Sequence, residues 1–318
     1  MKKRRTIKPS ALPEASLRPY LVLLVAQLAV GSAAIFARFA LTGGGPIAVS
    51  ASRLTIAAFA LLVLAALRSP RERDAMSRRD RTIFAIAGLA LAIHFAAWIW
   101  SLQYTSVAVS TLLVATVPIW TALYDAFARG LKLSAAALCS FAAAAAGLVM
   151  VVGFTATLPP VPGHSLLGAS LAIAGAIGIA VYFILIRGVR ASFGTRAIVT
   201  QTYTWAAVAL VVAALATRQP PPPLADGTAW GGIIAMALVS QLLGHTAMNS
   251  ALRWFSASAV AFTTLVEPIV AALLALAIFG ERLSAIAIAG GLLVLGAIGI
   301  FIREERRGEA RDEVKAAI

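Results

Sequence analysis

Residues 101–135 read SLQYTSVAVSTLLVATVPIWTALYDAFARGLKLSA, and residues 251–285 read ALRWFSASAVAFTTLVEPIVAALLALAIFGERLSA. Set one above the other at an offset of 150, without a gap, they agree at ten of 35 positions. Alanine and leucine matches between apolar segments carry little weight. The paired prolines Pro118 and Pro268 carry more, as do the paired glycines Gly130 and Gly280 and the Leu-Ser that follows each glycine. Proline within an apolar run and glycine at its end are punctuation, and the same punctuation at one fixed spacing marks a duplicated unit.

Outward from these segments the chain is apolar almost throughout. It has 318 residues, 60% hydrophobic and 13% charged, with a mean hydropathy of +0.90. Soluble domains hold roughly 25% charged residues because they must present a wet surface. Ten runs have the ~20 residues needed to cross ~30 Å of hydrocarbon: 20–41, 47–67, 82–103, 106–127, 134–153, 165–186, 198–217, 229–249, 255–279 and 283–302. Lipid offers no partner to backbone amides, so runs this long and this little alternating are read as helices. The first run is too long for a signal-peptide core and carries Arg38, which makes it an uncleaved span. The expected fold is therefore an all-α membrane protein of ten transmembrane helices. A tail (1–19) precedes a first five-helix repeat (20–153), and a second repeat (165–302) precedes a tail (303–318). Five is odd, so the second repeat enters the membrane from the opposite side, giving inverted topology.

The net charge of +14 would suggest nucleic acid if it were spread over a soluble surface. It sits instead in short blocks between spans. With the N-terminus inside, 23 of the 27 Lys and Arg residues fall on that side, leaving Arg218 and Arg253 in opposite loops and Arg38 and Arg53 within spans. The positive-inside rule then puts both termini in the cytoplasm. Cys139 is the sole cysteine, which excludes an intrachain disulfide and a cysteine-based metal site.

Glu267-Pro268-Ile269-Val270-Ala271, the turn Phe279-Gly280-Glu281-Arg282-Leu283-Ser284 and the glycines 290, 291, 296 and 299 of the last span resemble a known pattern. It is that of the drug/metabolite transporter superfamily, in particular its EamA (RhaT-like) family of ten-helix permeases. Arg53 in span two, Ser101–Ser106 at the three–four turn and Pro118 in span four extend the resemblance to the first half. Leu131 and Val117 depart from it, since the first repeat lacks the acidic residue at either place. The resemblance implies a carrier of amino acids, nucleosides, sugars or drugs.

Ionisable groups inside spans are few and costly, which makes each a candidate for function. Glu267 lies midway along span nine beside Pro268, which frees a carbonyl one turn earlier. It either binds a coupling proton or the solute, or it bridges the backbone that the proline opens. Gln241, His245 and Asn249, at spacings of four, form one polar stripe on an α-helix, and His94, Trp98 and Ser101 form another on the equivalent span three. Two matching stripes suit a midplane cavity, although hydrogen bonds between helices would use the same residue types. Arg38 and Arg53, near the outer ends of spans one and two, either snorkel to the interface or pair with a substrate carboxylate. Tyr182, and Trp205 with Gln201, line a cavity or face lipid. Asp125 and Arg129 form a helix-end pair. Gly168, Ala172 and Ala176 allow close helix packing.

No G-x-x-x-x-G-K-[ST] run occurs to hold ATP. The reading is a secondary transporter of a small organic metabolite across the inner membrane by alternating access, either proton-coupled or an exchanger. Its rivals are a non-transporting scaffold or receptor, and an intramembrane enzyme, for which only Glu267 is a deeply placed carboxylate. No cofactor and no metal are expected. The partners expected are a small-molecule solute, the lipid bilayer, protons if transport is coupled, and a second copy in a homodimer, with no nucleic acid.

Overall fold

The computed structural model describes residues 17–67, 76–105, 107–130, 133–153, 165–279 and 284–317. Among them lie ten helical spans and no strand. They are α1 (Arg18–Gly31 continued by Ala33–Ala40), α2 (Pro46–Ala66), α3 (Arg78–Ser101), α4 (Val107–Val114 and Val117–Arg129) and α5 (Ala135–Gly153). The second set is α6 (Ser165–Val189), α7 (Thr195–Ala216), α8 (Gly227–Ala251), α9 (Ala257–Phe279 in three pieces) and α10 (Ala285–Ala317). Nine of these are long and apolar enough to cross a membrane, and α5 contributes a shorter apolar stretch, Ala135–Met150. Outward faces carry large apolar side chains, such as Phe59, Leu215 and Leu292, which are two-thirds or more exposed to whatever surrounds the bundle. In water that would be a liability; in lipid it satisfies the solvent.

The repeated letters do repeated work. Ser134 and Ser284 each accept a hydrogen bond from the backbone N–H three residues on, at Ala137 and Ala287, both at 3.1 Å. The conserved Leu-Ser-Ala of the two copies is thus an N-cap for α5 and for α10. Gly130 ends α4 with φ at 67°, a left-handed conformation that a side chain would disfavour. Its counterpart Gly280 lies outside the described residues, as do Glu281 and Arg282. Ser77 and Asp80 build a reciprocal capping box at the start of α3.

The halves do not fold side by side. α3 of the first half lies along α6 and α7 of the second, and α8 of the second lies along α1 and α2 of the first. α4 packs on α6 and α9, α9 on α1 and α4, and α5 pairs with α10. Exchanging each helix with the one five places later leaves this pattern unchanged, which is the contact signature of a pseudo-twofold axis between inverted repeats. Close approach is made by small residues: Ala172 and Ala176 of α6 are completely buried. A separate aromatic cluster ties α5 and α10 to α9, with Phe262 stacked on Phe301 at 4.2 Å and Phe141 set edge-on to both.

On the face where α1 ends, the α7–α8 loop clasps the α1–α2 turn. The Ile47 N–H donates to Gln219 Oε1 at 2.8 Å and the Gly45 N–H to the Pro220 carbonyl at 3.3 Å. A Cβ at Gly44 would meet the Pro222 ring at 2.8 Å, so this turn admits the loop only because it is glycine. On the other face Arg187 donates to the Leu252 carbonyl at 2.7 Å, which brings the α8–α9 turn beside the α6–α7 turn. That contact corrects the loop expected to hold Arg253. Arg253, next to Leu252, belongs to the face where α1 begins. Burial, with Arg253 and Arg187 nearby, lowers the pKa of Arg190 from its ordinary value. Beyond residue 302, α10 continues as helix to Ala317, through a proline-free run of helix-forming residues.

Candidate functional site

Both proline-bearing spans are interrupted, and at equivalent places. α4 stops at Val114 and restarts at Val117, with Pro118 as the second residue of the new segment. α9 runs from Ala257 to Thr263, tightens into a 3-10 turn at Thr264–Val266, and restarts at Glu267 with Pro268 second. The sequence reading had Glu267 in the middle of one bent helix. It stands instead in the first turn of a new one, because Pro268 cannot donate to the Thr264 carbonyl and the N–H of Glu267 takes that acceptor in its place.

Between the two breaks lies a narrow cavity of about 30 Å³. Its walls come from both halves: Val30 to Ala34 of α1, His94, Phe95 and Trp98 of α3, Thr111 and Val114 of α4, His245 of α8, and Glu267 and Ala271 of α9. A contiguous lobe reaches Ala115, Val117, Thr264 and Pro268 at the breaks themselves. Four of the residues singled out in the sequence, Glu267, His94, Trp98 and His245, therefore meet at one space.

His94 Nδ1 lies 2.9 Å from the Gly175 carbonyl of α6. A carbonyl only accepts, so Nδ1 carries the proton and Nε2 of the neutral ring is left as an acceptor. The imidazole lies nearly parallel to the Trp98 ring, with centroids 6.3 Å apart, and stands edge-on to His245 at the same separation. His245 Nδ1 is buried without a hydrogen-bond partner. The Glu267 carboxyl makes no hydrogen bond or ion pair with any described residue. Among the described residues no three His, Cys, Asp or Glu side chains come close enough to share a metal ion, so Glu267 does not complete a ligand set with the two imidazoles.

The other expected residues are placed elsewhere. Gln241, His245 and Asn249 are all buried, along a span that is a π-helix over Met236–His245 and α-helical beyond it, but they meet different partners. Gln241 turns to α2, where Arg53 Nη2 donates to its Oε1 at 2.8 Å. Asn249 turns to α6, where it accepts from the Tyr182 hydroxyl at 2.8 Å, while its own Nδ2 donates to the His245 carbonyl. Tyr182 is thereby wholly buried and takes no part in the cavity wall. The Gln241 carbonyl of the widened turn is met by the Tyr203 hydroxyl at 3.3 Å. Arg38 is exposed in the last turn of α1, away from the cavity, and Trp205 is exposed on α7.

Arg53 overturns the snorkelling alternative. Its relative exposure is 0%, its guanidinium carbon lies 4.1 Å from the centroid of the Phe95 ring, and no described carboxylate pairs with it. Phe95 and Gln27 were missed in the sequence. Gln27 Nε2 donates to Thr263 Oγ1 at 2.8 Å, joining α1 to α9 just before the break. An amide in an apolar run was the available signal, the same one that singled out Gln241. Phe95 offered none, being one phenylalanine among 14. Asp125 does pair with Arg129 at 2.9 Å, and it also accepts from Ser258 of α9 at 2.6 Å, a link between halves that spacing could not show.

No curated protein matches this chain. A solved crystal structure superposes on it with a TM-score of 0.73 over 93% of this chain and 100% of the other, at 17% identity, a level at which the likeness is one of fold alone. The profile of the EamA-like transporter family matches twice, over residues 17–153 and over residues 166–303. Matched across both of its halves, the chain belongs to the EamA-like transporter family.

Proposed function

We propose that the protein is a secondary transporter carrying a small organic solute, of amino-acid or drug-like size, across the cytoplasmic membrane by alternating access, with both termini in the cytoplasm. One observation carries this reading: the cavity lies where the two inverted halves meet, bounded by both broken helices, and holds the Glu267 carboxyl, unpartnered among the described residues. Broken helices around a site at the repeat interface are how inverted-repeat carriers present backbone and charge to a solute at the membrane midplane. Rocking one half against the other would open the site alternately to each face. Opening toward the face where α1 ends requires the Gln219–Ile47 clasp to part. In this reading Glu267 binds the coupling proton, and the imidazoles of His94 and His245 contact the solute.

The test is a solute-uptake screen in proteoliposomes with and without a pH gradient, on wild type and Glu267→Gln. The variant is expected to exchange solute while losing gradient-driven accumulation. Accumulation equal to wild type would remove the coupling role, and a protein moving no solute in any condition would remove the transport reading. Single changes His94→Ala and His245→Ala are expected to alter the half-saturation concentration.

A further inference from the structure

A guanidinium stays charged at neutral pH and carries five N–H donors. At Arg53 that charge is completely buried in the bundle and has no counter-anion among the described residues. What surrounds it is a partial substitute: the face of Phe95, one amide oxygen of Gln241 at 2.8 Å, and the Met236 sulfur at 3.9 Å. Its Nε is left without a partner. So is Nε2 of Gln241, whose oxygen is already taken by the arginine. Unmet donors beside an unneutralised cation are expensive to bury, and a site that has them is complete only when an anion is present.

Phe95 relates this cluster to the cavity. Its ring is part of the cavity wall, carries Arg53 against it, and stands edge-on to His245 at 5.1 Å between centroids. The cation is therefore one aromatic side chain removed from the space where the solute would sit. A rotamer change at Phe95 would give up the cation–π contact and open the guanidinium to the cavity.

We propose that Arg53 and Gln241 form an anion subsite screened by Phe95, and that the solute accordingly bears a carboxylate or an equivalent compact anion. The proposal rests on the transport reading only for the word solute, since the subsite can be tested by binding alone. Benzoate and benzamide share shape and differ in charge, and their affinities can be measured by calorimetry on the full-length protein purified in detergent. Wild type should bind benzoate at least about tenfold more tightly than benzamide, the order expected of a charge-assisted buried hydrogen bond. Phe95→Ala should raise benzoate affinity without raising that for benzamide, Arg53→Lys should keep part of the preference, and Arg53→Gln should abolish it. If Arg53 is only a tether between α2 and α8, Arg53→Gln will lower the unfolding temperature and leave the benzoate-to-benzamide ratio unchanged. Should Arg53→Gln fail to fold, Phe95→Ala decides alone. Equal gains for the two probes, or no benzoate binding by either wild type or Phe95→Ala, overturn the subsite. Proteoliposomes that move nothing, with the benzoate preference intact, would remove the transport reading and leave the subsite standing.

Discussion

The break in α4 and the break in α9 pose one backbone problem in two chemical settings. In each, a proline withholds a donor and the chain tightens by bonding three residues back, Ile119 to the Thr116 carbonyl at 2.9 Å in α4 and Glu267 to the Thr264 carbonyl in α9. Threonine hydroxyls cover neighbouring acceptors in both, Thr116 Oγ1 on Leu113 and Thr264 Oγ1 on Ala261. The residue before the proline then differs completely. Val117 is 2% exposed and apolar, whereas Glu267 is half-buried and its carboxyl reaches the cavity without a partner among the described residues. Duplication kept the break and confined the carboxyl to one half. The proposed rocking of the halves uses both breaks, whereas a second carboxyl within a span would add cost without a counter-charge.

Four substitutions would break or sharpen that comparison. The largest effect is expected at Glu267, where Glu267→Gln should bring accumulation under a pH gradient down to its no-gradient level in the proteoliposome assay. Next, Val117→Glu asks whether the α4 site tolerates the charge of its counterpart; stability to denaturant in micelles should fall by about 2.5 kcal/mol, the cost of a carboxylate near a helix centre. A wild-type midpoint would mean that the α4 break is as wet as the α9 break. Pro268→Ala restores a donor for the Thr264 carbonyl. It should slow solute exchange measured by counterflow, with stability within about 1 kcal/mol of wild type. The smallest effect belongs to Gln27→Leu, which removes the bond to Thr263 above the α9 break and should cost about 0.6 kcal/mol, typical of one hydrogen bond between membrane helices.

Much of the fold was legible because lipid removes choices. An apolar run of twenty residues in lipid is read as helix, and the paired Pro118/Pro268 and Ser134/Ser284 set the offset between the two copies. Legibility failed first at α8. Periodicity assigns a shared face but not the partners on it, and Gln241, His245 and Asn249, all buried, meet Arg53, the cavity and Tyr182 respectively. It failed again at Arg53, whose apparent place near a span end suggested the interface, while the packing of α2 between α7 and α8 buries it.

The amino-acid sequence alone determined the number of spans, the duplication and the residues able to carry charge inside the bilayer. Each follows from local composition and from backbone groups that cannot stay unpaired in hydrocarbon. Tertiary structure alone decided which of those residues share a space. Glu267, His94 and His245 are brought together because α3 of one half lies against α6 and α7 of the other and α8 lies against α1 and α2. Such neighbours are up to 173 positions apart along the chain. A side chain's direction within its own helix is a local property, whereas its opposite number depends on how ten helices fill space together.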